Sequence, residues 1–514
     1  MTEQVITSAG HIERPTTQRP RTTLLLILAI GIPFLGLTAV CAWLMNRYTL
    51  DVPIAAAVSI ALVVLCFIRA KWVLYVLVFA CLFSPQLSIT ETLGRAAKRP
   101  VTLRIEDILI VVLGFAWLAR TAIHKELSLL LRTPLNRPIL AYVLICITAT
   151  AAGIAYGWVV PQERLAAALF VLKYIQYFVL FFIVLHHIDS PQDVRNLVIA
   201  GIVTYLLVCA YGYYQLYGLA EGARPSTFGE KYGEPNTLAG YLLFMLGICS
   251  GLLLVAKDPS IKVAWGFFCV LGLVLLAFTL SRSGWAGLFG IIAVLIFFGR
   301  HKLAVVATLS AIAAILILVS LNINWLPDSI ETRLAETGGT FETLAWAPPV
   351  EILGWKLDPS ASERVRSYQD ALGTWASRTS EYWLPLLTGS GVLGGRPFVD
   401  GQYVRVLAET GLLGLAAFLV LLAAIWRDVR RTYRTVQTPW YKGLALGYLA
   451  GFAGLLVHAL GANTFIIVRI MEPFFIFTGV VMLLPAMEAH KIAHDAELKE
   501  QEERIENVNA RREQ

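Results

Sequence analysis

Apolar residues in this chain come in unbroken blocks, not in the narrow stripe of a water-soluble helix. About 20 apolar residues suffice for a helix to cross a bilayer. Blocks of that order fall near 23–44, 53–69, 72–88, 105–121, 137–157, 164–187, 194–217, 236–256, 263–281, 284–299, 303–321, 403–426, 441–459 and 464–486. The pattern predicts an all-α integral membrane protein with about 12–14 transmembrane helices, because backbone in lipid must satisfy its own hydrogen bonds. The block at 72–88 also fits a re-entrant segment, and the blocks around Ser281–Ser283 are joined almost without a loop. No secretory signal is expected, since the first block is too long and no small-residue cleavage pattern follows it.

One polar interval stands apart. Residues 322–402 hold Trp325, Trp346, Trp355, Trp375 and Trp383, several arginines, no cysteine and no histidine. The expected organisation is a cytoplasmic tail (1–22), a helical bundle (23–321) with an outer loop at 218–235, a large, partly helical periplasmic loop (322–402), C-terminal membrane helices (403–486) and a charged cytoplasmic tail (487–514). Large decorated loops on a rigid scaffold commonly carry function.

Composition agrees with this class. The 514 residues are 57% hydrophobic and 15% charged, with a mean hydropathy of +0.68, so lipid must be the solvent for much of the surface. Alternate short loops carry Arg69 and Lys71; Arg120, Lys125, Arg132 and Arg137; Lys257 and Lys262; Arg300 and Lys302; and Arg427, Arg430, Arg431, Arg434 and Lys442. The positive-inside rule puts these in the cytoplasm with both termini, and leaves 322–402 outside. Arg95, Lys98, Arg99 and Arg104 fall on the assigned outer side, as a basic patch or as the mark of a helix miscount. The net charge of +7 fits attraction to anionic membrane lipids and calls for no nucleic acid. The cysteines all lie in apolar runs, and neither metal-ligand spacing nor a Gly-rich phosphate loop is present, so no cofactor is expected.

A few polar residues have positions that need explaining. Arg224 opens an outer loop that leads to a helix starting near Asn236, whose first N–H groups favour an anion; an ordinary Asn N-cap explains the same pattern. Arg282 sits in the short junction Thr279-Leu280-Ser281-Arg282-Ser283-Gly284-Trp285, where a fixed cation needs water, an anion or a snorkelling route. Lys173 lies within a membrane helix and should face a carboxylate or a polar cavity. Arg405 and Glu409 have intrahelical-pair spacing, as do Arg469 and Glu472. Asp400 precedes the helix at Tyr403 as a proton acceptor or an N-cap, and His458 ends the penultimate helix as the second candidate base.

Four stretches in order carry a family resemblance. They are Arg224-Pro-Ser-Thr-Phe-Gly through Glu234-Pro-Asn-Thr-Leu-Ala; Leu280-Ser-Arg-Ser-Gly-Trp; Arg364 through Trp375 to Pro385-Leu-Leu-Thr-Gly-Ser-Gly; and Asp400-Gly-Gln-Tyr-Val-Arg-Val-Leu-Ala-Glu-Thr-Gly-Leu-Leu-Gly. The chain resembles the O-antigen ligase and polymerase family of polytopic membrane glycosyltransferases. The resemblance implies a GT-C-like fold and a metal-independent, inverting transfer. In that reaction a glycan moves from undecaprenyl diphosphate to an acceptor hydroxyl on the periplasmic face of the bacterial inner membrane. It assigns Arg224 and Arg282 to the diphosphate and Arg364 to the glycan site; Asn236, Lys173 and Arg405 are further substrate-binding candidates from their own positions in the chain. Arginine suits a diphosphate because it stays charged and binds in two-point fashion. Family ligases carry a histidine where this chain has Asp400, so the expectation leans to a polymerase of O-antigen or exopolysaccharide repeat units, with a chain-length regulator as a possible partner. The alternatives are a ligase acting on a lipid A-core acceptor and, from Lys173 and the buried ion pairs, a transporter of a lipid-linked sugar.

Overall fold

The computed structural model describes residues 70–84, 86–88, 102–123, 133–218, 225–227, 234–299, 350–352, 355–356, 359–394 and 399–512. The predicted helices at 23–44, 53–69 and 303–321 lie outside these residues, as does Arg224. The described chain is an all-α membrane bundle. Its helices are α1 (Ala70–Phe83), α2 (Ile105–Ile123), α3 (Asn136–Ala155), α4 (Arg164–His187), α5 (Pro191–Gly218), α6 (Pro235–Val255), α7 (Pro259–Phe278), α8 (Arg282–Phe298), α9 (Pro359–Glu381), α10 (Leu384–Thr388), α11 (Gln402–Thr435), α12 (Pro439–His458) and α13 (Val468–Arg512). Eight of them are long and apolar enough to cross a membrane: α3 to α7 and α11 to α13. The shorter apolar helices are α1 and α8.

Two small antiparallel ribbons were not expected. β1 (Gln86–Ser88) pairs with β2 (Thr102–Arg104) with Leu87 opposite Leu103, and β3 (Glu351–Ile352) pairs with β4 (Trp355–Lys356). The predicted block at 72–88 is therefore helix only to Phe83, and the chain then turns into the first ribbon. At the other extreme, α13 runs through Pro473 and Pro485 into the charged tail without a break.

Successive helices alternate in direction. At one end of the bundle Lys71 pairs with Asp193 at 2.6 Å, the Tyr433 hydroxyl donates to the Phe298 carbonyl at 2.7 Å, and Glu488 accepts from the Gln437 N–H. At the opposite end lie the starts of α6, α8 and α11 and the end of α12. Arg104 is at this second end with Ser84, so the helix alternation stays in step across the α1–α2 pair.

α6 and α12 are apolar around most of their circumference and fill the centre. They meet along a seam of Gly247 and Gly251 against Gly443, Gly447 and Gly451, where an added methyl would run into the facing backbone. Gly287 and Gly290 bring α8 equally close to α12 near Ala453 and Gly454. Small residues at such seams allow dispersion contacts between backbones, which is what holds helices together in lipid. The seam also fixes where these three helices end relative to one another. Outward-facing Val263, Phe267 and Val270 of α7 and Phe289 and Phe297 of α8 form apolar surface suited to lipid.

α9 is a polar helix that lies outside this apolar core. Its Ala371 and Tyr368 pack on Val399, Val404 and Ala408. α11 is interrupted at Gly411 (φ 67°), which frees helix carbonyls to accept from the preceding turn: the Ser390 N–H bonds Ala408 at 3.0 Å and the Gly391 N–H bonds Glu409 at 2.8 Å. The turn after α10 is thus stitched to α11 just before Gly411.

Candidate active site

The residues singled out on the sequence gather at the second end of the bundle. α6 starts at Pro235, which has the fixed φ and missing N–H suited to the first helical position. Glu234 takes the N-cap position, so Asn236 is not the cap that its position predicts. Its side-chain carbonyl instead accepts from the Ser281 hydroxyl at 2.7 Å. Ser281 is the true N-cap of α8: its oxygen accepts from the Gly284 N–H at 3.1 Å and lies 3.1 Å from the Ser283 hydroxyl. Arg282 follows as the first residue of α8 and is partly buried. The turn before it holds Leu280 at φ 53°, a left-handed conformation that strains a non-glycine residue by about 1–3 kcal/mol. Strain of this kind persists where the surroundings over-determine it, and here it sets the start of α8.

His458 closes α12 and is fully buried, with Nδ1 2.7 Å from the Thr464 hydroxyl. Its ring lies against Gly240 of α6 and feels the charge of Arg364. The segment after it is knitted to the start of α11: the Gln402 N–H donates to Ala459 at 3.0 Å, Gln402 Oε1 accepts from the Phe465 N–H at 3.0 Å, and the Asn463 amide donates to Val399 at 2.7 Å. Gly461 abuts Ser283, which closes the circle back to α8.

α9 contributes from above. Arg364 Nε stands 3.8 Å from Asp400 Oδ2, and the Asp400 side chain is 54% exposed. Asp400 is not an N-cap; Gly401 occupies that position without a side-chain cap. Asn236, Ser281, Arg282, His458, Arg364 and Asp400 thus share one rim, with cationic side chains and one open carboxylate.

Lys173 and Arg405 are placed differently. Arg405 is buried in α11 and bonds Glu409 at 3.0 Å, as their spacing predicts. Lys173 bonds Asp107 of α2, so it meets the carboxylate that its depth requires. That pair belongs to a buried polar group linking four helices. The Gln176 amide donates to Asp107 at 2.8 Å and to Glu472 at 2.7 Å, Arg104 lies 3.6 Å from Glu106, and the Ser84 hydroxyl bonds Glu106. Arg469 donates to the Leu82 and Ser84 carbonyls. Of the loop tryptophans, Trp375 is tied to the Pro385 carbonyl at 2.9 Å and Trp383 is 72% exposed; Trp325 and Trp346 lie outside the described residues.

Sequence reading missed Ser281 as the partner of Asn236, and it missed Ser367 and Tyr368, whose contacts with Asp400 are 33 and 32 residues apart along the chain. The i,i+4 spacing of Arg364 and Tyr368 on a polar helix was the available signal.

The fold and the placing of these residues define a polytopic membrane protein whose cationic rim lies under a loop helix. The family model described as O-Antigen ligase matches residues 267–380, from within α7 through α8 to nearly the end of α9, and includes Arg282 and Arg364. The match covers less than a quarter of the 514 residues, and over that stretch it supports the resemblance to the O-antigen ligase/polymerase family read from the motifs. No curated protein matches the chain.

Proposed function

We propose that this chain is a membrane glycosyltransferase that polymerises undecaprenyl-diphosphate-linked repeat units into O-antigen or exopolysaccharide. The observation that carries the reading is the meeting of Arg364 with Asp400 above the ends of α6, α8 and α12, on the helices that also present Arg282 and His458. An acceptor hydroxyl attacks the anomeric carbon of the donor glycan. The bond from that carbon to the diphosphate oxygen breaks, and undecaprenyl diphosphate leaves with the electron pair. A diphosphate is a good leaving group whose charge needs neutralising more than its oxygen needs protonating. Arg282 and Arg364 supply fixed charge for this, and Arg224 joins them on the family resemblance.

The acceptor's proton passes to a carboxylate. Asp400 suits this role because its side chain is open to solvent and Arg364 stands 3.8 Å from it. His458 suits it less, being fully buried with Nδ1 on Thr464, and is better read as a brace between α12 and the segment after it. In this reading the rim faces the periplasm of a bacterial inner membrane, with both termini cytoplasmic, and the glycan exits past α9.

Ligation of finished glycan to a lipid A-core acceptor is the second reading, and the description of the matching family favours it. The two separate in cells lacking the protein. Loss of a polymerase leaves single repeat units attached to the acceptor, or no exported polymer; loss of a ligase leaves full-length polymer stranded on the lipid carrier. Neither pattern in such cells would overturn both.

A further inference from the structure

One turn of α9 holds Asp400 at three points. The Asp400 N–H lies 3.4 Å from Ser367 Oγ, the Tyr368 hydroxyl bonds the Asp400 carbonyl, and Arg364 Nε stands 3.8 Å from the carboxylate. The same Tyr368 hydroxyl lies 2.7 Å from the Leu460 carbonyl, so it ties α9 both to the start of α11 and to the segment after His458. A Cβ at Gly401 would lie 2.5 Å from that hydroxyl and 2.8 Å from two atoms of its ring. Gly401 has φ 169°, extended backbone that any residue adopts, so it is the space for Tyr368 that calls for glycine there. Burial raises the Tyr368 phenol above its ordinary value against the opposing charge of Arg364, and the hydroxyl therefore stays protonated as a donor across the physiological range.

We propose that Tyr368 is a positioning residue: it fixes the peptide at Asp400 and Gly401 so that the Asp400 carboxylate faces Arg364, and Gly401 is the socket that admits it. The inference rests on the reading of Asp400 as the base. Asp400 stands just before the Gly401 cap of α11, and its side chain is 54% exposed. Its aim therefore depends on its backbone, and the backbone is held by α9. A mere brace for the fold would affect stability and turnover together; a positioning residue affects turnover alone.

The test uses the full-length protein in detergent and, as donor and acceptor, the lipid-linked repeat unit extracted from cells that lack the protein. Tyr368→Phe is expected to lower kcat about tenfold, in line with the sensitivity of transfer to small misplacements. Donor KM should stay within about twofold and the unfolding temperature should hold, because only the hydroxyl is lost. Faster amide exchange should be confined to residues 399–401. Gly401→Ala should show a similar loss, and the double variant should be no worse than the worse single, as expected of two residues acting through one contact. Wild-type kcat in Tyr368→Phe, or a loss of kcat that only follows loss of folded protein, would overturn the proposal. Asp400→Asn separates the two levels. Full turnover in Asp400→Asn removes the base reading and the positioning role with it, whereas an inactive Asp400→Asn beside a fully active Tyr368→Phe removes the positioning role alone.

Discussion

Two groups of charged side chains lie toward the same end of this bundle, and they are built in opposite ways. In the interior, Arg104, Glu106, Asp107, Lys173, Arg469 and Glu472 are drawn from β2, α2, α4 and α13 and are nearly or fully buried. They contact one another, Gln176, and the Ser84 and Leu82 backbone. At the rim, Arg364 and Asp400 come no closer than 3.8 Å, and the carboxylate is half open to solvent. A desolvated charge must be matched inside the protein, so the interior group spends its charges on itself and ties helices together. At the rim the Arg364–Asp400 pair is loose and open to solvent, which suits an anion arriving from outside. Charge alone therefore does not mark the site; the slack in its pairing does.

The contrast can be broken first at the rim. Asp400→Asn should lower kcat by about a hundredfold or more if Asp400 takes the acceptor's proton, measured on purified protein with lipid-linked repeat units. Arg282→Ala should lower transfer per folded molecule by about a hundredfold, since it removes a cation from the diphosphate. Turnover near the parent's in either variant would move the chemistry elsewhere.

How far the sequence foretold this contrast is instructive. The apolar blocks place most of the described helices within a few residues, because twenty-odd apolar residues have few alternatives to a spanning helix. The Ser-Arg-Ser junction was legible as a tight turn bearing a cation. Lys173 was legible as a buried charge in need of a partner, but not that the partner would be Asp107, 66 residues away. Asn236 and Asp400 were both open to reading as N-caps from local pattern. Pro235 and Gly401 shift the helix starts, and long-range contacts with Ser281 and Arg364 claim the side chains instead. The ribbons at Gln86–Arg104 and Glu351–Lys356 are too short to leave a period in the sequence.

The interior gives the opposite expectation. Lys173→Met leaves Asp107 buried without its cation and should destabilise the protein by about 3–5 kcal/mol, read as a lower unfolding temperature in detergent. Transfer per folded molecule should hardly change. A large loss of turnover at unchanged stability would make Lys173 part of the site and erase the distinction drawn here. The smallest effect is expected at the boundary between the two regions. Ser281→Ala removes the cap of α8 and the bond to Asn236, for a loss of about 1 kcal/mol in stability. If Ser281 also sets the aim of Arg282, donor KM should rise modestly in the same variant.

The claim beneath all of this is that the lipid diphosphate is gripped at the rim and not in the buried charge group. A polyprenyl diphosphate carrying a photoreactive group, crosslinked to the full-length protein and mapped by mass spectrometry of its peptides, tests it most directly. Adducts should fall on peptides that contain Arg282 or Arg364, and they should fade in the Arg282→Ala/Arg364→Ala double variant. Adducts confined to the peptides around Lys173 and Glu472, or labelling that the double variant leaves unchanged, would contradict it.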